Sequence, residues 1–267
     1  MRAQRNSFLR LIATATLFCA LLCPLAALHA EPIRVRHVEG VAHGFLVVHN
    51  TAGEAIAYGD MIQDTKRGLV TSRLTFHFKD GSLYDDTTVF SEHRVFRVLS
   101  DHLIEKGPSF KQPMETWVNG KTGEFRALTT DKGKDKVVSK KMKLPNDLAN
   151  GIIYVAVKNI DPEAPSTKVS MLVGTPNPRI VKLIITPQGE RGFAIGDLRR
   201  MARHYVIKFD LGGVTGVVAP VIGKQPADLD IWIASEGIPT FLMSRGQLFE
   251  GGPIWTITLT TPQWHPR

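Results

Sequence analysis

The feature that most constrains the fold of this chain is an alternation of apolar and polar residues with a period of two. In "RLTFHFK" at residues 73–79, every second side chain is apolar and those between are charged or polar. The segments "YVIKFD" at 205–210 and "IWTITLT" at 254–260 follow the same alternation. Because successive side chains of a strand point to opposite faces, these segments predict antiparallel strands with one buried and one hydrated face.

Turn sequences separate the predicted strands at short intervals. The clearest are "KDGS" at 79–82 and "NGKTG" at 119–123, in which glycine and asparagine accept a positive φ. Strand and turn patterns continue to the C-terminus without a linker-like change of composition. We therefore predict a single, mainly β domain over residues 31–267, built as a large curved antiparallel sheet or open half-barrel.

Helix is expected in one or two short pieces only. In "LPNDLANGIIYVAVKNI" at 144–160, Pro145 and the Asn or Asp after it favour a helix start, and apolar residues recur near helical spacing. Gly151 and the β-branched residues of this segment oppose a long helix. A second short helical turn is predicted at 196–201.

The first 30 residues have the order of a secretory signal peptide. Three arginines precede an apolar run at 11–22, and a stretch of mostly small residues ends at Ala30. We predict cleavage after Ala30, with Ala27 as the alternative, and a periplasmic or secreted protein without a transmembrane anchor. Cys19 and Cys23 both precede the cleavage site, so the mature chain must rely on its hydrophobic core rather than on disulfides.

The charge of the chain indicates a mildly basic protein. The net charge of +8 falls to +5 without the three arginines of the predicted signal. This excess suits an anionic envelope surface and is too small to indicate nucleic-acid binding. Six lysines lie within 131–143, which we interpret as an edge strand whose lysines oppose sheet-to-sheet association. A patch for anionic lipid or glycan, or a partner site that includes Lys140, Lys141 and Lys143, is the alternative.

The stretch "GVVAPVIGKQPADLD" at 216–230 contains the glycine and lysine of a phosphate-binding loop but not its spacing. Such a loop needs four residues between its glycines and a Ser or Thr after the lysine. Here six residues separate Gly216 from Gly223, and Gln225 follows Lys224. We predict no nucleotide binding and interpret the stretch as a buried strand that ends in a turn.

Metal binding is not indicated by the histidines. His37, His43 and His49 are evenly spaced, but Gly40 and Gly44 interrupt any strand that would place them on one face. The closed ligand set that zinc needs is not evident. The sequence therefore predicts neither a metal site nor another cofactor.

Asp85, Asp86 and His102 are the candidates for hydrolytic chemistry. Asp85 and Asp86 could supply the paired carboxylates of sugar hydrolysis, although nothing in the sequence fixes their separation, and Asp101 beside His102 resembles half of a nucleophilic triad. Neighbouring residues of a strand point to opposite faces, however, and no G-x-S-x-G nucleophile elbow occurs. We predict no catalytic residue and keep an envelope hydrolase acting on a glycan or ester as an alternative.

Large aromatic residues in the predicted strands suit either an ordinary core or a ligand site. A wide antiparallel sheet must cover its apolar face with a helix, another sheet, a ligand or a partner, and little helix is predicted here. This scarcity favours an apolar ligand in the concavity of the sheet, although a second sheet would serve as well. The residues predicted to contact the ligand are Trp117, Trp232, Trp255, Phe76, Phe78 and Tyr205.

Several segments resemble a group of uncharacterised exported bacterial proteins, and the periplasmic half-barrel proteins that are similar to the lipoprotein carriers of the Lol system. The segments are "FHFKDGSLYDDTTVF", "SDHLIEKGPSF", "ARHYVIKFDLGGVTGVVAPVIGKQPADLDIWI" and "GGPIWTITL". The resemblance implies a curved antiparallel sheet with a helix across its concave face, and it transfers no catalytic residue. The chain is longer than a Lol carrier.

The predicted function is therefore non-enzymatic binding, in the cell envelope, of a lipid, lipoprotein or other apolar ligand. A structural or partner-binding module is a further alternative.

Overall fold

The computed structural model describes residues 31–131, 133–173, 177–195, 198–212 and 226–260. The predicted signal peptide and most of the 216–230 stretch lie outside these residues. The described part contains fourteen strands and one short helix. In chain order these are β1 (Ala42–His49), β2 (Ala55–Lys66), β3 (Leu69–Phe78), β4 (Leu83–Ser91), β5 (Arg97–Lys106), β6 (Met114–Asn119), β7 (Glu124–Asp131), β8 (Lys134–Lys141), α1 (Ile153–Lys158), β9 (Thr167–Val173), β10 (Arg179–Ile195), β11 (Leu198–Asp210), β12 (Leu229–Ala234), β13 (Phe241–Gln247) and β14 (Ile254–Thr260).

All fourteen strands belong to one open antiparallel sheet, in the order β8-β7-β6-β5-β4-β3-β2-β1-β14-β13-β12-β11-β10-β9. Strands make up 62% of the structure, which confirms the predicted mainly β fold. The sheet consists of two meanders, β1–β8 and β9–β14, which are joined where β1 pairs with β14. Because β8 and β9 lie at opposite edges, the chain between them has to cross the whole sheet.

The alternation in the sequence corresponds to the two faces of this sheet. In β3, Phe76 and Phe78 are buried whereas His77 is exposed. In β14, Trp255 and Ile257 are buried, whereas Thr256 between them and Thr258 after them are only partly buried. We call the face that carries the buried residues the inner face, and the opposite face the outer face.

The crossover segment, residues 142–166, covers the inner face. Its apolar side chains Leu148, Ile152, Val155 and Ile160 are each at most 4% exposed and belong to the same core as the inner-face residues of the strands. Burial of each contributes about 1.5–3 kcal/mol to the free energy of unfolding. The helix within the segment, α1, is six residues long, and it does not extend back through Gly151, whose φ of 63° is not helical.

The crossover segment also covers the edge of β9. The Ala149 N–H donates to the Ser170 carbonyl at 2.8 Å, and the Ser170 N–H donates to the Asp147 carbonyl at 3.1 Å. The Asn150 side chain bonds both the N–H and the carbonyl of Leu172, at 2.8 and 3.0 Å. Backbone groups that an edge strand would leave unpaired are thereby satisfied.

The other edge of the sheet, β8, is exposed along nearly its whole length. Lysine occupies four of its eight positions, including Lys140 and Lys141 at its end. This confirms the predicted lysine-rich edge strand. The lysines oppose pairing with another chain at an edge that nothing else in the described structure covers.

Residues 33–39 hold the end of α1 against the sheet. The backbone N–H groups of Arg36 and His37 donate to the Asn159 side-chain oxygen at 2.8 and 2.7 Å. Lys158 Nζ lies 2.6 Å from Glu39 Oε2, and both side chains are almost fully buried. The crossover segment is therefore anchored near both of its ends, at 147–150 and at 158–159.

One prediction about helix is wrong. The second helical turn expected at 196–201 is not formed over its described part, because residues 198–201 belong to β11 and pair with β10. Long-range pairing with the neighbouring strand outweighs the weak local preference for a turn of helix there.

Candidate ligand cavity beneath helix α1

A cavity of about 110 Å³ lies between α1 and the inner face. The crossover segment forms its roof through Ile153, Tyr154 and Val155. The sheet forms the remaining wall, which is mainly aliphatic and aromatic. Apolar residues of the sheet in this wall include Met61, Leu74, Leu183, Phe209, Trp255 and Ile257. Both meanders therefore contribute to one apolar chamber.

Small residues at the wall leave this space open. Ala149 and Gly151 line the cavity from the crossover segment, and Ser72, Ser244 and Gly246 line it from the strands. At these positions a larger side chain would project into the chamber or into its wall. In an interior that is otherwise packed to crystal-like density, this concentration of small side chains explains the cavity.

One wall of the cavity carries carboxyl groups. Asp86 on β4 lines the cavity, and it is in register with Leu74 on β3 and Leu103 on β5. Thr88 lies two residues after Asp86 on the same face of β4, and it is in register with Asp101 on β5. The Thr88 hydroxyl donates to Asp101 Oδ1 at 2.7 Å.

Asp86 and Asp101 hydrogen bond to each other, so that one of them holds a proton. Burial, and then the charge and the hydrogen bond of Asp101, raise the pKa of Asp86 well above its usual range. Burial also raises the pKa of Asp101, but the hydrogen bonds from Thr88 and Asp86 oppose that rise. The Asp86–Asp101 pair therefore keeps a proton at pH values at which an exposed aspartate has lost it.

The second carboxyl oxygen of Asp86 has no hydrogen-bond partner. Asp86 Oδ1 is buried and unpaired, although the residue keeps some accessible surface because it faces the cavity. A buried acceptor without a partner costs about 1–3 kcal/mol.

Glu105 adds a third buried carboxyl group to the inner face. It lies in register with Tyr84 and is 3% exposed. Burial raises its pKa from the ordinary value of 4.5 to about 8. Burial likewise raises the pKa of Tyr84, which lines the cavity, with a smaller contribution from the charge of Asp86. Glu105 therefore keeps its proton at neutral pH, at which a glutamate in water is ionised.

Tyr154 connects the roof of the cavity to the C-terminal meander. Its hydroxyl lies 3.2 Å from the Ser244 hydroxyl, and its ring packs 4.6 Å from the ring of Phe241. Burial raises the pKa of Tyr154, and the Ser244 hydrogen bond opposes that rise. This is the one hydrogen bond between the α1 side chains and the sheet at the cavity wall in the described residues.

Four of the six predicted ligand-binding residues lie on the inner face, and one of them lines the cavity. Trp255 is part of the wall and packs against Phe78 at a ring distance of 5.1 Å. Phe76 and Tyr205 are fully buried in the core at 0% and 2% exposure, away from the cavity wall. The structure thus places Trp255 at the candidate site and the other three in the packing around it.

Trp117 lies on the outer face, away from the cavity. It is directly opposite His102 in the sheet, and the two rings stack at 5.1 Å with 13° between their planes. His102 Nε2 lies 2.7 Å from Glu115 Oε1, and the Arg126 guanidinium covers the Trp117 ring at 4.9 Å. The Trp117 ring therefore packs against the polar side chains His102 and Arg126 on the outer face of the sheet.

Trp232 repeats this arrangement in the other meander. It is directly opposite His204, and their rings stack at 4.5 Å with 8° between the planes. His204 Nε2 lies 2.7 Å from Asp230 Oδ1. In both meanders an acid lies two residues before the tryptophan and the histidine lies on the preceding strand, a similarity that the sequence alone did not reveal.

The three catalytic candidates do not converge. Asp86 is on the inner face, whereas Asp85 is on the outer face in an ion pair with Arg73. His102 is also on the outer face, with Glu115. This separation does not support the hydrolase alternative, which needs at least two of these groups in one polar pocket.

Sequence reasoning missed the partners of Asp86. Asp101 was considered only beside His102, and Glu105 was not related to Asp86. Both lie on the inner face because β5 pairs with β4 in the register that places Asp101 opposite Thr88. The signal in the sequence was the spacing of four between Asp101 and Glu105, which places two acids on one face of a strand.

Three wider observations complete the description. Among the described residues no group of three His, Cys, Asp or Glu side chains is arranged to hold a metal ion. No helix in the described residues is long and apolar enough to cross a membrane. Comparison with known proteins gave no match to a protein-family model, to a curated protein or to a solved structure. The resemblance to the half-barrel group therefore depends on the quoted segments alone.

Proposed function

We propose that this protein is a non-enzymatic, exported envelope protein that binds an apolar ligand in the cavity beneath α1. The observation that carries the proposal is the cavity itself, which is lined mainly by aliphatic and aromatic side chains of both meanders and of α1. Buried core residues surround the cavity on the inner face. A lipid acyl chain, a lipoprotein acyl chain or another apolar group would occupy it.

The volume of the cavity limits what it binds without rearrangement. An apolar protein cavity of about 150 Å³ binds benzene or xenon, whereas pockets for drug-sized ligands are about 300–1,000 Å³. The cavity beneath α1, at about 110 Å³, is therefore large enough for a short apolar group. A longer chain requires the roof to move away from the sheet.

The roof is built in a way that permits such a movement. The crossover segment is anchored at 147–150 by backbone pairing with β9 and at 158–159 by Asn159 and the Lys158–Glu39 ion pair. Between these anchors, α1 is held at the cavity by apolar contacts and by the Tyr154–Ser244 hydrogen bond. Displacement of the middle of the segment would enlarge the cavity while both anchors remain in place.

Location and surface charge are part of the same proposal. The signal-like N-terminus indicates export to the periplasm or beyond. The exposed lysines of β8 give one edge of the sheet a positive charge that suits an anionic envelope surface. A carrier or receptor for an apolar envelope component would use both features.

Native mass spectrometry and lipid extraction of protein purified from an envelope fraction test this proposal. Binding of straight-chain alcohols from propanol to hexadecanol, followed by calorimetry, then measures the chain length that the cavity accepts. The variant Val155→Phe, which fills the cavity from α1, should weaken alcohol binding about tenfold or more. The matched control is Val137→Phe on the exposed edge strand, where the same substitution is far from the cavity and should change nothing.

Two results would contradict the proposal. One is the absence of both a co-purifying apolar molecule and measurable binding of any alcohol. The other is equal affinity of the wild type and a folded Val155→Phe variant, which would place binding outside the cavity.

A further inference from the structure

One end of the sheet carries the most exposed large apolar side chains of the described residues. These are Ile238 at 84%, Val41 at 81% and Val38 at 76% exposure. In an antiparallel sheet alternate connections lie at the same end. The chain enters β1 at this end, and the β2–β3, β4–β5, β10–β11 and β12–β13 connections lie there as well. We call this end the rim, and its described segments are 38–41, 64–69, 91–96, 190–195, 198–200 and 235–240.

Hydrogen bonds fix the two exposed valines at the rim. Val38 and Val41 flank Glu39, whose backbone N–H donates to Glu92 Oε2 at 2.7 Å. The Thr65 hydroxyl donates to the Glu39 carbonyl at 3.4 Å. The segment before β1 is thereby attached to the end of β2 and to the β4–β5 connection. Both valines are exposed in a well-supported stretch of backbone.

Two connections of the rim place an arginine where a glycine would be less strained. Arg67 has a φ of 55° and Arg94 a φ of 64°, and they are the non-glycine residues with positive φ among the described residues. Glycine, asparagine and aspartate are the usual residues at such positions. Both arginines are exposed. The turns themselves gain nothing from arginine, so a binding role accounts for it better.

The β10–β11 hairpin adds further arginines. It extends beyond its neighbours, because β10 pairs with β9 only as far as Ile185 and β11 pairs with β12 only from Ala202 onwards. At its end, residues 193–195 and 198–200 pair with each other, over about 10 Å of strand. Arg191, Arg199 and Arg200 are exposed, and in the described part of the chain none of them forms an ion pair.

The rim therefore has an excess of positive charge. Its exposed acids are Asp64, Glu190 and Glu236, and Glu190 lies 3.8 Å from Arg203. Glu39 is buried and paired with Lys158. The exposed bases are Lys66, Arg67, Arg94, Arg191, Arg199 and Arg200.

We propose that the rim docks on the surface of an anionic phospholipid bilayer. The arginines would bind lipid phosphates, and Val38, Val41 and Ile238 would enter the layer between headgroups and acyl chains. Basic residues close to an anionic membrane surface each contribute to binding, and buried apolar area adds to it. This inference goes beyond ligand binding in the cavity and does not depend on it.

The arrangement suits a bilayer better than a protein partner. The apolar side chains are aliphatic and lie on separate connections, spread over about 30 Å from β3 to β11. A stable protein interface needs about 800 Å² of closely packed surface on each partner, usually with aromatic residues at its centre. A bilayer surface adapts to separated side chains, and its phosphates match bases that are distributed along the rim.

Sedimentation with lipid vesicles tests the proposal. The wild-type protein should bind vesicles of phosphatidylglycerol and phosphatidylcholine in equal parts, should bind phosphatidylcholine vesicles at least tenfold more weakly, and should lose affinity as salt is added. The combined variant Arg67→Gln, Arg94→Gln and Arg200→Gln should bind the anionic vesicles about 100-fold more weakly. The matched control is Lys111→Gln, Lys134→Gln and Lys136→Gln, which removes the same charge from exposed residues at the opposite end of the sheet.

A second variant tests the apolar contribution. Val38→Ser, Val41→Ser and Ile238→Ser together should weaken binding to the anionic vesicles about tenfold or more, whereas Val137→Ser on β8 should change nothing. All of these positions are exposed, so the variants should keep the thermal unfolding midpoint of the wild type.

Three results would overturn the inference. One is equal binding of the wild type to neutral and anionic vesicles, or no binding to either, which decides the question without any variant. Another is an equal loss of affinity in the lysine control, which would place the contact elsewhere. The third is full affinity of the serine variant, which would show that the apolar side chains do not enter the bilayer. Alcohol binding in the cavity is measured without vesicles, so failure here leaves the proposed function standing.

Discussion

The substitution Glu105→Gln should change how the stability of this protein depends on pH. Glu105 is 3% exposed, and burial raises its pKa from 4.5 to about 8 in the folded protein. Between these two pH values the folded state keeps a proton that the unfolded state has lost. The contribution of Glu105 to the free energy of unfolding is fully present below pH 4.5 and is lost as the pH rises towards 8. At about 1.4 kcal/mol per pH unit, the loss over this window is about 5 kcal/mol.

Glutamine cannot ionise, so the substitution removes the pH-dependent contribution of Glu105 to the free energy of unfolding. Glu105→Gln should resemble the wild type in stability near pH 4.5, and it should be more stable by up to about 5 kcal/mol at pH 8. Urea unfolding followed by circular dichroism across this range measures the free energy of unfolding of both proteins. Asp86 and Asp101 titrate in both proteins, so the difference between the two curves reports Glu105 together with the smaller effect of its charge on Asp86.

Parallel pH curves for the wild type and Glu105→Gln would refute this reasoning, because they would mean that Glu105 is ionised in the folded protein. The matched control is Glu124→Gln on β7, where the glutamate is exposed. Its pH curve should coincide with that of the wild type within about 0.5 kcal/mol.

Two further substitutions test how the crossover segment is held. Gly151→Ala should destabilise the protein by about 3 kcal/mol or more, because φ is 63° and the new Cβ would lie 1.7 Å from the Thr88 hydroxyl oxygen. A thermal unfolding midpoint equal to that of the wild type would contradict this expectation. Lys158→Met should cost about 3–5 kcal/mol, since it leaves Glu39 buried without its cation. Adding Glu39→Leu to that variant should restore most of the loss in urea unfolding, and a double variant no better than the single one would show that the ion pair is not the cause.

Much of the fold was predictable because the relevant signals are local. The alternation around Phe76 and around Trp255 assigns those strands and their buried faces without any knowledge of the partner strand. The lysines of residues 131–143 identified an edge strand before the sheet order was known. The helical turn predicted at 196–201 was wrong because pairing between β10 and β11 overrides weak local preference.

The candidate site was less predictable, since it depends on which strands are neighbours. Six aromatic residues were predicted to contact a ligand, and the structure places Trp255 alone at the cavity wall. The sequence around Trp117 and Trp232 does not show which face of the strand each ring occupies. The strand registers place both rings on the outer face, opposite His102 and His204.

By itself, the sequence determined that this chain forms many antiparallel strands with one apolar face, because side-chain alternation is a property of each strand alone. Only the tertiary structure decided that β1 pairs with β14 and that the chain from β8 to β9 crosses and roofs the inner face. It also decided that Asp86 shares a proton with Asp101 beside an apolar cavity. The physical reason is that register and burial are set by contacts distant in sequence, and these determine which carboxyl groups meet and how far they are removed from water.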